Sequence, residues 1–435
     1  MSLTSKQRLI VLASAGVAIA GLSCNVAAQR APTLATELQR VSALVNSTYQ
    51  QIHEHPELGK RETATHDLLL ADMRKIGYSI FVESKGVPTA VIAVLDTKRP
   101  GPTIALRAEM DARPDSEPMQ HNPRSQTAGI MHSCGHDAHA AMLLGAADVL
   151  WRNQSALSGN IVIVFQPAEE TAGGADDIVN EGTLRTLGVQ AMFAQHAAPR
   201  LPVGTVSISP GALLAGSNSF TLTVRGKDSH AAAPSDGSDV PGALATLVRG
   251  LIDLPARRLD ISNRPAIISV TYMQTGDTAA LTTLHAVGVA RGTVRAFETV
   301  DPTPASDTSI KAMIDQYLRG TAPGLRVTTE FSLRRGSPVT VNDQALFDKT
   351  MVALHNAWPG SINTAPYRGM FSEDFAYYTQ SIPSLYFGLG IAKGGLGMAG
   401  VHTADFTIHP DALVEGVRLL VLTAQIATRG SVTLR

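Results

Sequence analysis

Segment 160–165, NIVIVF, is an unbroken apolar run after its first residue, and two adjacent carboxylates, Glu169 and Glu170, follow it by way of Pro167. A run of that length without polar alternation suits a central strand covered on both faces. Three other segments end in the same manner. Residues 103–108 lead to Glu109 and Asp111, and residues 191–195 lead to His196. A helix-opening loop carries His132, Cys134, His136, Asp137 and His139. Open α/β sheets bind ligands beyond the carboxyl ends of their strands, so several such ends with chemistry on them specify one fold class and one edge of it. Helical patterns at 34–52, 63–76 and 138–151, the last with Asp137 as N-cap, alternate with strands at 90–95 and 103–106. This alternation predicts a sandwich with helices on both faces of the sheet.

The pattern changes near residue 207. Strands are expected at 218–225, 267–273, 287–295 and 326–331, and helices at 240–254 and 306–318. The order β-α-β-β-α-β is the ferredoxin-like arrangement. Such a unit within an α/β domain reads as an inserted lid or dimerisation domain. The expected division is 29–210 and 331–435 for a discontinuous catalytic domain and 211–330 for the lid, with a late strand at 384–388.

Residues 1–28 read as a secretory signal. Lys6 and Arg8 precede an uncharged apolar stretch, 9–22, and Val26-Ala27-Ala28 offers small residues for cleavage. Leu22-Ser23-Cys24 also allows a lipoprotein reading, with Gly21 where a larger aliphatic is usual. The apolar stretch is short for a membrane span, and no other follows, so a soluble periplasmic or secreted protein is expected. Cleavage leaves Cys134 as a single cysteine, either an inert buried thiol or a metal ligand, with no internal disulfide to form. Lys plus Arg is 36 and Asp plus Glu is 37, so no basic excess exists to hold nucleic acid. A small molecule is the expected partner.

Cys134 and His136 flank one glycine, and sulfur with imidazole suits zinc and its borderline neighbours. His132 and His139 are left open between ligand and ordinary helix-start residue. Adjacent carboxylates at a buried strand end need a positive partner, which a bound cation supplies for one of Glu169 and Glu170. The other is placed to take a proton from water that the cation acidifies. His196 and His402 would complete the set. There is no nucleophile elbow (GxSxG), and no dinucleotide (GxGxxG) or Walker pattern directly after an expected strand.

Together these segments resemble the zinc aminoacylase/carboxypeptidase metallopeptidase family, in particular its amidohydrolase branch of hippurate hydrolases and plant indole-acetyl-amino-acid hydrolases. The matching pieces include HEHPELGKRE (53–62), ALRAEMDARP (105–114), MHSCGHDAHAAMLLGAA (131–147), FQPAEE (165–170), GKDSHAAAPSDGSD (226–239), SEDFAYY (372–378) and VHTADF (401–406). The resemblance implies two divalent metal ions, zinc, manganese, cobalt or nickel, shared by Cys134, His136, Glu170, His196 and His402, with Cys134 bridging. It implies Glu169 as general base and then acid, Asp111 as the residue that orients a ligand, and a homodimer formed through the lid. His230 would then reach a substrate oxygen across the dimer. Arg295 is a candidate for a substrate carboxylate or for a plain salt bridge. The sequence departs from the family at Glu109, where Asp is usual, and at 275–287, where Thr282 or Thr283 stands near the place of a usual Asn. The expected function is an exported two-metal amidohydrolase acting on N-acyl amino acids or related small amides. The rivals are a metallo-dipeptidase or carboxypeptidase with the same centre, and a non-catalytic periplasmic metal- or ligand-binding protein.

Overall fold

The computed structural model describes residues 33–171, 173–277 and 279–428. The expected signal, 1–28, with Cys24, lies outside the described residues. An eight-stranded mixed sheet runs, from edge to edge, Ile80–Val82, Val91–Asp96, Asn160–Gln166, Thr103–Glu109, Val189–Pro202, Ser384–Ala392, Thr205–Ser207 and Ser361–Asn363. The four strands from Asn160–Gln166 to Ser384–Ala392 are parallel to one another, so their carboxyl ends share one edge.

The unbroken apolar run is explained by its two neighbours. Ile161, Ile163 and Phe165 enter one core, beneath the helices Leu34–Glu54, His136–Arg152 and Asp411–Thr428. Val162 and Val164 enter a second core on the other face, with Ala175, Ile178, Phe375 and Tyr378. The helix His136–Arg152 is buried along nearly its whole length. At Gly145 a Cβ would stand 2.4 Å from Val45 and 2.9 Å from Val417, so this glycine sets how closely the three helices approach.

The helix opens at His136, two residues earlier than Asp137 as N-cap would require. Gly135 takes the N-cap position at φ +93°, in the left-handed region that suits glycine. Asp137 instead turns its carboxylate to His53, at 2.6 Å. The strand expected to stop before His196 runs on to Pro202, because Ser384–Ala392 continues beside it as a parallel partner.

A second sheet of four antiparallel strands has the order Ala266–Thr275, Val287–Ala296, Gly216–Arg225, Thr328–Arg335. With the helices Val240–Arg258 and Ile310–Thr321 it forms the βαββαβ unit, and its own core includes Leu222, Val224, Leu244, Leu251 and Ile314. The outer strand Ala266–Thr275 leaves Ile267, Tyr272 and Met273 exposed. The strands of this sheet run from Gly216 to Arg335, beside the expected lid limits of 211 and 330. Gly211–Leu214 pairs with Thr340–Asn342, and Leu213 and Leu214 pack in the large sheet's second core. The chain thus crosses between the two units on two strands laid side by side.

Candidate metal centre and active site

Each group is delivered by a strand end or by a loop held against one. His136 Nδ1 lies 3.0 Å from the carbonyl of Asp111, an acceptor only, so Nδ1 carries the hydrogen. His136 Nε2 is then a bare, fully buried nitrogen without a protein partner. His196 repeats the device: Nδ1 donates to the carbonyl of Ala197 at 2.9 Å, and Nε2 faces Cys134 Sγ at 3.4 Å. The Asp111 carboxylate accepts the N–H of Glu169 at 3.1 Å and of Glu170 at 2.9 Å. Asp111 therefore ties the glutamate turn to His136. That turn begins at Ala168, at φ +59°, whose N–H donates to buried Glu62 at 2.8 Å. His402 also has a left-handed backbone, φ +61°. Strained non-glycine residues of this kind persist where their surroundings fix them.

Donor atoms of Cys134, Glu170 and His402 lie within 4.8 Å of one another, as do those of His136, Glu169 and Glu170. His402 Nε2 is 3.1 Å from Glu170 Oε1, and Arg113 holds the other oxygen at 2.6 Å. Burial works against ionisation of Glu170, yet His402, His136 and Arg113 bring it down to about 2. Burial pushes the Cys134 thiol up, so a thiolate there needs a cation beside it. Sulfur, two imidazole nitrogens freed by their hydrogen bonds, and a carboxylate form a donor set that fits divalent metal.

Glu169 stands apart from that set in its surroundings. Burial, then Glu373 and Asp374, raise its carboxyl well above the ordinary range. Its Oε1 accepts the N–H of Asp374 at 3.3 Å. Beneath it lies fully buried Arg107, which donates to Glu109, to Glu373 at 2.9 Å, to Asp374 at 2.7 Å and to Gln166 at 2.9 Å. Tyr386 donates to the second oxygen of Glu373 at 2.7 Å. Sequence reasoning assigned no role to Arg107, Glu373 or Asp374. The signal was a guanidinium inside a buried strand, which demands carboxylates nearby, and the SEDF segment supplies them.

A cavity of about 560 Å³ opens over these groups, lined by Cys134, Glu169, Glu170, His196 and His402, with Arg113, Arg295, Met370, Phe371 and Tyr386 on its walls. Arg295 donates to the carbonyl of Met370 and to Ser372 Oγ, both at 3.3 Å, and among the described residues it makes no ion pair. His139 is spent on Glu109 and on the N–H of Ala197, and burial lowers it to about 4. His132 is buried away from the cavity wall, lowered to about 4 by that burial. His230 is not on the cavity of its own chain. It sits exposed on Ser229–His230, paired with Thr283–Leu284, so the departure at Thr283 lies directly opposite it.

The profile of Peptidase family M20/M25/M40 matches residues 105–426. The chain belongs to that family. Thermostable carboxypeptidase 2 of Saccharolobus solfataricus is 30% identical over 391 residues, 88% of this chain and 95% of that protein. IAA-amino acid hydrolase ILR1-like 5 of Arabidopsis thaliana is 34% identical over 387 residues, 87% of this chain and 85% of the relative. Among solved structures, the Bacillus subtilis YXEP protein, described as a dinuclear metal binding peptidase of the family, is 27% identical with a TM-score of 0.77, covering 90% of this chain and 99% of its own.

Proposed function

We propose that this metal-dependent amidohydrolase cleaves the amide bond of N-acyl amino acids, with two divalent cations held by Cys134, His136, Glu170, His196 and His402. The observation that carries the reading is the convergence of sulfur, imidazole and carboxylate donors, half-buried Glu169 among them, in groups whose atoms lie within 4.8 Å of one another. Cations bound there would polarise the amide carbonyl and acidify water. Zinc, manganese, cobalt and nickel all suit the donors. Cys134 would be shared between the two cations, and Asp111 orients His136. Glu169 takes the proton of the attacking water on its carboxylate and passes it to the departing nitrogen.

Arg295 binds the carboxylate of the amino-acid half, which supplies the anion that its own chain does not. An N-acyl substrate is favoured over a free dipeptide because, among the described residues on the cavity wall, Glu169 is reserved as the base, Glu170 is paired with Arg113 and His402, and Glu373 has both oxygens engaged. Glu373 serves Arg107 and Phe375 N–H with one oxygen and Tyr386 with the other. His230 serves a second subunit, across a homodimer whose contact includes the exposed Ile267, Tyr272 and Met273 of the outer strand. The basic, apolar and small-residue pattern of 1–28 supports export. The test is a panel of acetyl-, benzoyl- and indole-acetyl-amino acids beside dipeptides, with metal removed by chelator and restored. Turnover confined to dipeptides, or turnover that survives chelation, overturns the reading.

A further inference from the structure

We propose that Glu109 and His139 are positioning residues that act as one strut, fixing the metal-facing orientation of His196 from the buried guanidinium of Arg107. The inference rests on the proposed two-metal reading. Donor atoms of Glu109, His136, His139 and His196 lie within 4.8 Å of one another, so Glu109 and His139 look at first like further ligands. Their hydrogen bonds give them another task. One oxygen of Glu109 is held by Arg107, and the other accepts from His139 Nδ1 at 3.0 Å. His139 Nε2 accepts the N–H of Ala197 at 2.9 Å. The carbonyl of that same Ala197 accepts from His196 Nδ1 at 2.9 Å, which leaves Nε2 to face Cys134. The rings of His139 and His196 also meet edge to face, with centroids 4.7 Å apart. Glu109 and His139 are both about 1% exposed or less, so water does not substitute for either contact.

The length of the Glu109 side chain has a use in this chain. Glu109 must reach back to Arg107 on its own strand and across to His139 on the helix. Aspartate is shorter by about one carbon–carbon bond, ~1.5 Å, and leaves one of the two unpaired.

Cobalt(II) titration of the chelator-stripped full-length protein tests the strut, read by d–d absorption and by competition with a chromogenic chelator. The variants are His139→Leu, His139→Gln, Glu109→Asp and the Glu109→Asp/His139→Leu double. Circular dichroism and melting establish that each is folded. His139→Leu should still bind two equivalents at saturation with unchanged band positions, one of them about 10–100-fold more weakly. Gln offers a donor to Glu109 and an acceptor to Ala197, so His139→Gln should recover most of that affinity. Glu109→Asp should weaken the same equivalent, and the double variant should be no weaker than His139→Leu alone. Unchanged affinity in His139→Leu overturns the proposal. So does outright loss of one equivalent at saturation, which makes His139 a ligand, and so do additive effects in the double variant. If His139→Leu does not fold, Glu109→Asp and His139→Gln carry the same decision: wild-type affinity in the first, or no recovery in the second, overturns it. Wild-type protein that fails to bind two equivalents instead overturns the two-metal reading itself.

Discussion

Arg107→Met removes the guanidinium beneath the catalytic edge while keeping most of its apolar volume. Arg107 is fully buried, and it serves Glu109, Glu373 and Asp374 together with Gln166. Removing one partner of a buried ion pair costs about 3–5 kcal/mol, because the charge left behind has no water to return to. For a unit the size of the large domain, that corresponds to a fall in Tm on the order of 10 °C. The loss should depend on pH, and its direction follows from Glu109. Burial works to raise this carboxyl, but Arg107 and then His139 hold it well below its ordinary range. A depressed pKa contributes stability above the unfolded value, near 4.5, and loses it as pH falls. Without Arg107, burial wins and the folded pKa rises, which favours the fold only at low pH. The Tm gap between wild type and variant should therefore be widest near pH 8 and narrower near pH 5.5. Calorimetry with chelator present throughout measures the gap without metal titration. Hydrogen exchange on Gly216–Arg225 serves as an internal control, since that strand belongs to the separate core of the smaller sheet. A Tm fall under about 2 °C, or a gap that does not vary with pH, refutes the reasoning.

Glu169→Gln should keep both metals and lose kcat by about 100-fold or more, measured by steady-state kinetics with metal analysis; an active variant means another group takes the proton. His53 is opposed by burial but raised by Asp137 and Glu117 from 6.5 to about 10. The stability it adds is complete below pH 6.5 and drains as pH rises through about 10, so His53→Gln should flatten the alkaline melting profile; equal alkaline loss in both proteins refutes this. Mixed after subunit exchange, His230→Ala and Glu169→Gln chains should recover up to about a quarter of wild-type activity, since each heterodimer repairs one site. Heterodimers seen by native mass spectrometry without activity would exclude service across the dimer.

Much of the fold is legible because burial wrote it into the sequence as period and run length. The helix Thr63–Ile76 and the strand Asn160–Gln166 fall at or within one residue of their expected limits. The convergence of Cys134, His136, Glu169, Glu170 and His196 on one edge was legible for the same reason, since each follows a recognisable buried strand or opens a buried helix. What was not legible depended on partners distant in sequence. Asp137 reads as an N-cap until His53, 84 residues away, is seen to take its carboxylate. The strand expected at 326–331 runs instead from Thr328 to Arg335, because it follows Gly216–Arg225 beside it, a partner about 110 residues away in sequence. His139 gave no sign of its role, which is spent on a backbone N–H that the sequence does not mark.

Where the chain leaves the large domain and where it returns, Leu214 and Thr340 are direct partners across a strand pair. Cα atoms so paired lie only about 5 Å apart. The whole intervening stretch is thus a cassette, removable in principle by a short linker without rerouting the rest of the chain. Every proposed metal ligand lies outside it, while Arg295 and His230, the groups that would touch substrate from above, lie inside. In such a layout, a change within the cassette would alter what Arg295 and His230 present while leaving the donor set of the large domain in place.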